Sequence, residues 1–241
     1  MSRSVWLSIE TAGTHLGVAI HDAAHPAGPA LARFFQATPG KQSDLLIPTI
    51  DRLMKKARLP HGAIAGIVVD NGPGSFTGVR VGVAAARALA QAFGVPLVGV
   101  SGLEALAWAA ARTLRLDSGT TVAARIPALA GEAYHAVYRW ERGRLRPIAK
   151  PAWTSEKVFE AALRRVRGPL AVALIERAGK EELNLPASAI VFPAAAPDPS
   201  DLAAIGAAAA GPKPSARRFP VEKVVPVYLQ PSWAERQKGK K

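Results

Sequence analysis

Asp70-Asn71-Gly72-Pro73-Gly74-Ser75-Phe76-Thr77-Gly78-Val79-Arg80 is the stretch on which the fold turns. Before it, Ile64-Ala-Gly-Ile-Val-Val-Asp70 is a short apolar run rich in β-branched residues, which reads as a buried strand. After it, Val79 to Phe93 is rich in Ala and Val and has no Pro, which reads as a helix. Gly72, Gly74 and Gly78 can take positive φ or let another surface come close, and Pro73 fixes φ. Ser75 or Thr77 is placed to cap the helix. A strand, a glycine turn and a helix start can cradle phosphate on outward N–H groups. The spacing matches neither common phosphate loop. A Walker loop ends in Gly-Lys-Ser/Thr, whereas Gly78 precedes Val79-Arg80, and the third glycine is one residue late for Gly-x-Gly-x-x-Gly. On spacing alone, a structural turn is favoured.

Upstream, Val5 to Thr11 and Leu16 to His21 read as a hairpin around Ala12–His15, and Leu31 to Ala37 as a third strand. Ser43 to Arg58 is helical, with Leu46, Ile50, Leu53, Met54 and Ala57 on one face and Pro48 early in the helix. Leu97 to Val100 is a strand. The order strand, strand, strand, helix, strand, helix, strand implies a mixed sheet, antiparallel first and parallel afterwards. This is a ribonuclease H-like α/β topology, shared with the actin, Hsp70 and sugar-kinase superfamily.

A second half begins at Ser101, where Ser101-x-x-Glu104 reads as a capping box opening a helix to about Arg115. Strands follow at Thr120–Arg125, Glu132–Trp140 and Leu145–Ala149, then a helix capped by Thr154 or Ser155, a buried strand at Leu170–Leu174, and an alanine-rich helix from Ser200 to Ala210. Val224 to Pro231 is an extended closing segment that returns to the body. The second half repeats the first in shorter form. The chain is therefore expected to form two lobes with mixed sheets, 1–100 and 101–241.

Composition narrows the function. The 241 residues are 49% hydrophobic and 20% charged, enough for a sizeable core. The absence of cysteine excludes disulfides, thiolate metal sites and cysteine nucleophiles. No apolar run approaches membrane-spanning length, and Glu10 interrupts the apolar N-terminal segment, so a cytoplasmic location off the membrane is expected. The net charge of +13 suits nucleic acid, but Arg and Lys are scattered except in the tail Arg236-Gln-Lys-Gly-Lys-Lys241. The body is read as an ordinary solvated surface, with nucleic-acid contact left open for the tail.

No catalytic set emerges. His15, His21, His25, His61 and His135 lack metal-ligand spacing, and Ser75 lacks the Gly-x-Ser-x-Gly context of a nucleophile elbow. Glu10 and Thr11 at the first hairpin, with Gly72 and Gly74, are the candidates for nucleotide contact. For each, a turn-stabilising role is favoured. Asp70 is expected to bond the turn's N–H groups. The helix after the glycine turn has small residues at Ala84, Ala85, Ala86, Ala88 and Ala90, which permits close packing on its own sheet or on another protein.

The string Gly72-Pro-Gly-Ser-Phe-Thr-Gly-Val-Arg80, the segment to Ala107, Leu7-Ser-Ile-Glu-Thr11, Gly131-Glu-Ala-Tyr134 and Pro226-Val-Tyr-Leu229 together resemble the bacterial TsaB (YeaZ) family. The sequence departs from the family's pattern at Glu10 (usually Asp), at Gln42 (usually His) and at Pro127-Ala128-Leu129 (usually Asp-Ala-Arg). The resemblance implies a non-catalytic scaffold in the synthesis of threonylcarbamoyladenosine in tRNA. It implies pairing with a catalytic TsaD-like subunit, a TsaE-like ATPase in the same complex, tRNA reached through that complex, and a homodimer when alone. No cofactor is expected to bind independently, with ATP or ADP entering at the interface with partners. The implied pairing surface lies on the two N-terminal helices, at Leu46, Ile50, Leu53, Phe76, Val79, Arg80, Val83 and Arg87, so that Val83→Glu should abolish pairing and spare the fold. The competing readings are a lone kinase or ATPase and, less favoured, a peptidase.

Overall fold

The computed structural model describes residues 3–129, 131–175 and 183–230, which build two mixed sheets covered by helices. In the first, β1 (Val5–Glu10), β2 (His15–Asp22) and β3 (Ala32–Ala37) run antiparallel. β4 (Ile64–Asp70) pairs with β1 in parallel, and β5 (Leu97–Val100) with β4, giving the order β3-β2-β1-β4-β5. The crossovers are α1 (Gln42–Lys56) and α2 (Phe76–Phe93). In the second, β6 (Thr121–Pro127), β7 (Glu132–Glu141) and β8 (Arg144–Pro147) are antiparallel, and β9 (Ala152–Ser155) also pairs with β7. β10 (Leu170–Ile175) and β11 (Ile190–Ala194) extend the sheet in parallel beyond β6. α3 (Gly102–Thr113) joins the lobes, and α4 (Glu156–Leu163) and α5 (Pro199–Ala210) complete the helices described. The expected two mixed sheets are present.

Every residue of β1 is buried, because helices cover both faces of the first sheet. Leu7, Ile9, Ile67 and Val69 face α1 and α2, whereas Trp6, Val68, Val98 and Val100 face α3 and α5. α5 comes from beyond the second sheet to lie across β1, β2, β4 and β5. Gly206 permits that contact, since a Cβ there would stand 2.6 Å from a Val68 methyl. Arg33 on β3 holds the helix start by an ion pair with the capping Asp198, so the lobes are interleaved.

Local details differ from the sequence reading. α2 begins at Phe76, three residues before Val79, with Ser75 Oγ accepting from Gly78 N–H at 3.3 Å. Pro48 is the seventh residue of α1, not in its first turn. Neither Ser101 nor Ser155 makes a side-chain cap, and Thr154 lies in β9. β9 and β11 were not anticipated: each is a short edge element, and Pro193 lies within β11. The tail 236–241 lies outside the described residues.

Candidate functional site

Between the lobes lies a cleft of about 1400 Å³. The β1–β2 turn at Ala12–Thr14 and the glycine turn from Pro73 to Gly78 form one wall. Ile126–Leu129 and the closing segment Val227–Gln230 complete it. Its described lining is apolar or neutral, without a charged side chain.

Parallel pairing of β1 with β4 brings both strand ends, and so both turns, to this wall. They are latched to one another. Ser75 N–H donates to the Ala12 carbonyl at 2.6 Å, and Thr11 Oγ1 donates to the Gly78 carbonyl at 2.8 Å. The glycines are needed for closeness, since side chains at Gly74 and Gly78 would run into the Ala12 and Thr11 carbonyls. Gly72 adopts φ +106 in front of a cis Pro73, and a Cβ there would meet the Val227 carbonyl at 2.7 Å.

The two acidic residues are wholly buried and turned into these loops. Glu10 Oε1 accepts from the N–H groups of Ala12 (2.7 Å) and Gly13 (3.3 Å). Asp70 Oδ1 accepts from Gly72 (2.7 Å) and from Gly102 (3.0 Å), which makes Asp70 the cap of α3 in place of Ser101. The other two oxygens, Glu10 Oε2 and Asp70 Oδ2, meet no N–H among the described residues. They belong to interacting carboxyls, and a hydrogen bond between them requires a proton on one. Burial, then the charge of Asp70, holds the Glu10 carboxyl well above its usual range, and burial also raises Asp70. Gln42 joins the latch by donating from Nε2 to the Gly13 carbonyl at 3.0 Å.

Four N–H groups that could face a phosphate, on Ala12, Gly13, Gly72 and Ser75, are therefore engaged within the chain. A metal-bound nucleotide wants carboxylate oxygens facing it. Glu10 and Asp70 face backbone amides and each other, and no metal-holding group of acids and histidines occurs among the described residues. This chain's own residues do not fit a metal nucleotide. Of the nucleotide candidates, Gly74 lines the cleft, while Glu10, Thr11 and Gly72 serve the latch behind it.

The structure redraws the surface expected for pairing. Leu46, Ile50, Leu53, Val79 and Val83 are at most 4% exposed and belong to the chain's own core, because the apolar stripes of α1 and α2 cover the first sheet. Phe76 is half exposed, Arg80 is exposed and Arg87 is half-buried. Phe76 and Arg80, with Ala84, lie four residues apart on α2. The Arg80 guanidinium lies 3.6 Å from the Phe76 ring centroid, and its Nε donates to the Tyr228 hydroxyl at 2.8 Å. Tyr228, in Pro226-Val-Tyr-Leu229, joins this surface from the closing segment 148 residues away from Arg80, and no local sequence signal places it there. His135 is half-buried, packs on Phe159 and bonds Thr154 Oγ1 at 2.8 Å, which is a structural role.

Two mixed sheets flanking a cleft, with the first-hairpin and glycine turns at its wall, define an actin-like α/β fold. A polyphosphate/ATP-glucomannokinase from Arthrobacter sp. shares this fold at 15% identity and TM-score 0.51, over 86% of this chain and 97% of the kinase. The profile of the family described as "TsaD: tRNA N6-adenosine threonylcarbamoyltransferase" matches residues 40–210, and the chain belongs to that family, in its TsaB (YeaZ) branch. YeaZ from Pseudomonas aeruginosa is similar at 26% identity and TM-score 0.70, over 94% of this chain and all of that one. The tRNA threonylcarbamoyladenosine biosynthesis protein TsaB of Escherichia coli is 30% identical over 52% of this chain and 55% of the relative. The Bacillus subtilis TsaB is 29% identical over 59% of this chain and 58% of the relative. The chain thus spans a little over half the length of these curated relatives.

Proposed function

We propose that this protein is a supporting, non-catalytic subunit in the synthesis of threonylcarbamoyladenosine in tRNA. It pairs with a tRNA N6-adenosine threonylcarbamoyltransferase, the TsaD subunit. One observation carries the reading: the turns that could serve a phosphate are latched together, with their amides engaged by Glu10, Asp70 and the Ala12 carbonyl. A fold inherited from phosphate chemistry then serves as a rigid block. The relatives named TsaB supply the process. Similarity to the transferase itself, 39% over 27% of this chain for that of Geotalea daltonii, suits pairing between related subunits.

The pairing surface is the exposed side of α2, with Phe76, Arg80 and Ala84. The same surface serves a homodimer when the transferase is absent. A TsaE-like ATPase joins the assembly, and ATP or ADP is held between subunits. The test is co-purification with the transferase of the same genome and a tRNA modification assay. Modification that requires this chain, without ATP turnover by the chain alone, is expected. Turnover by the lone chain would favour the kinase reading, and modification without it would reject the proposal.

A further inference from the structure

The arginines that look scattered in sequence gather at one end of the second sheet. Gly119 N–H bonds the Trp140 carbonyl and Thr121 N–H bonds the Pro169 carbonyl. These bonds bring together the loop after α3, the β7–β8 hairpin and the loop after α4. They carry Arg115, Arg142 and Arg144, and Arg165 and Arg167, respectively, all exposed and none in an ion pair among the described residues. Among the described acids near this end, Glu141 is paired with Arg146 at 3.2 Å, Glu160 with Arg164 at 3.9 Å, and Asp117 is exposed. Arg115 (φ 51) and Arg142 (φ 49) hold left-handed backbone positions that Gly or Asn would take with less strain. The row follows four neighbouring strands, β10, β6, β7 and β8, so it spans roughly 15 Å at ordinary strand spacing.

We infer that this arginine end is a docking surface for the phosphate backbone of a folded RNA. Guanidinium groups bind phosphate through paired N–H donors. Leu114, Leu116 and Leu145 beside the arginines are half-buried, so little apolar surface is offered for entry into a lipid interface. Among the described residues no exposed aromatic ring stands beside the five arginines, Trp140 being buried, so the surface suits backbone contact that is independent of sequence. The choice of RNA rests on the proposed function, whereas the surface itself rests on the geometry.

The test uses the full chain and a fluorescent tRNA transcript, read by anisotropy across a salt series. One variant combines Arg142→Glu, Arg144→Glu, Arg165→Glu and Arg167→Glu. A control of equal charge change combines Lys157→Glu, Lys213→Glu, Arg217→Glu and Lys223→Glu, all exposed elsewhere. With both variants shown folded by thermal melts, the first should weaken binding at least ~10-fold and flatten the salt slope by roughly one unit per arginine. The control should change affinity less than ~3-fold. Equal loss in both variants, or no binding by the native chain near ~100 mM salt, would overturn the surface. Equal binding of a DNA duplex would overturn its assignment to RNA. Co-purification of the arginine variant with the transferase tells the two proposals apart, because pairing does not use these residues.

Discussion

The carboxyl groups of Glu10 and Asp70 lie at the ends of neighbouring parallel strands, wholly buried, and interact directly. Each uses one oxygen to hold the turn that follows its own strand. Two buried charges at that distance are unfavourable, so the folded pair retains a proton that the unfolded chain releases near pH 4. The folded pKa lies above the unfolded one. Stability from this proton is therefore present at low pH and declines as pH rises through the folded value, by at most ~1.4 kcal/mol per pH unit. Glu10→Gln supplies a permanent donor to Asp70 and keeps the acceptor for Ala12 and Gly13. Urea denaturation from pH 5 to 9 should show a flatter profile for the variant and greater stability at the alkaline end. Parallel profiles would contradict the shared proton.

Asp70→Ala should be far less tolerable than Asp70→Asn. Alanine strands the buried N–H groups of Gly72 and Gly102, at ~1–3 kcal/mol each. Asparagine can still accept from both through its amide oxygen. A loss of ~2–5 kcal/mol for alanine against less than ~2 for asparagine is expected in chemical denaturation.

Val83→Glu does not test pairing. Val83 is 2% exposed on the buried face of α2, and a carboxylate there should unfold the first lobe or cost more than ~3 kcal/mol. Arg80→Glu and Phe76→Asp are the informative changes. Both should leave the melting curve close to native and lower affinity for the transferase at least ~10-fold by titration calorimetry. Undiminished affinity would move the pairing surface off this face of α2.

Arg125 and Glu156 form a buried ion pair in the second lobe, and Arg125 also donates to the Ile175 carbonyl at 3.0 Å. Glu156→Ala leaves the guanidinium uncompensated and should destabilise by ~3–5 kcal/mol. Combining Arg125→Met with Glu156→Leu should recover much of that loss. A double variant as unstable as Glu156→Ala alone would contradict this recovery and show that the pair outweighs its apolar replacement.

Asp201, in the first turn of α5, titrates near 6, raised by burial and then by Asp198. Its protonated form is favoured in the folded state, so stability falls as pH rises from about 4 to about 6. Asp201→Asn should remove that decline, as read by thermal melts at pH 4, 5, 6 and 7.

The order of strands and helices was legible because each element carries its own period and each turn its own glycine or proline. Asp70 was correctly read as bonding the turn. That it also caps α3 could not be read, because Gly102 is 32 residues away and meets it only through β4–β5 pairing. The local pattern at Ser101 therefore misled. Val79, Val83 and the α1 leucines misled for a related reason: one apolar stripe can cover its own sheet or a partner, and periodicity does not distinguish them. The arginine end was invisible because its members come from three loops that only the folded sheet brings together.

The crossing of α5 has a bearing on synthesis. Trp6, Val68, Val98 and Val100 emerge from the ribosome long before Leu202 and Ile205, which cover them. Roughly a hundred residues separate β5 from its cover, so this apolar face has no native partner while the second lobe is being translated. Contacts so distant in sequence form slowly. The nascent first lobe should therefore be the species that holdase chaperones recognise, and a fragment ending near residue 100 should aggregate rather than fold.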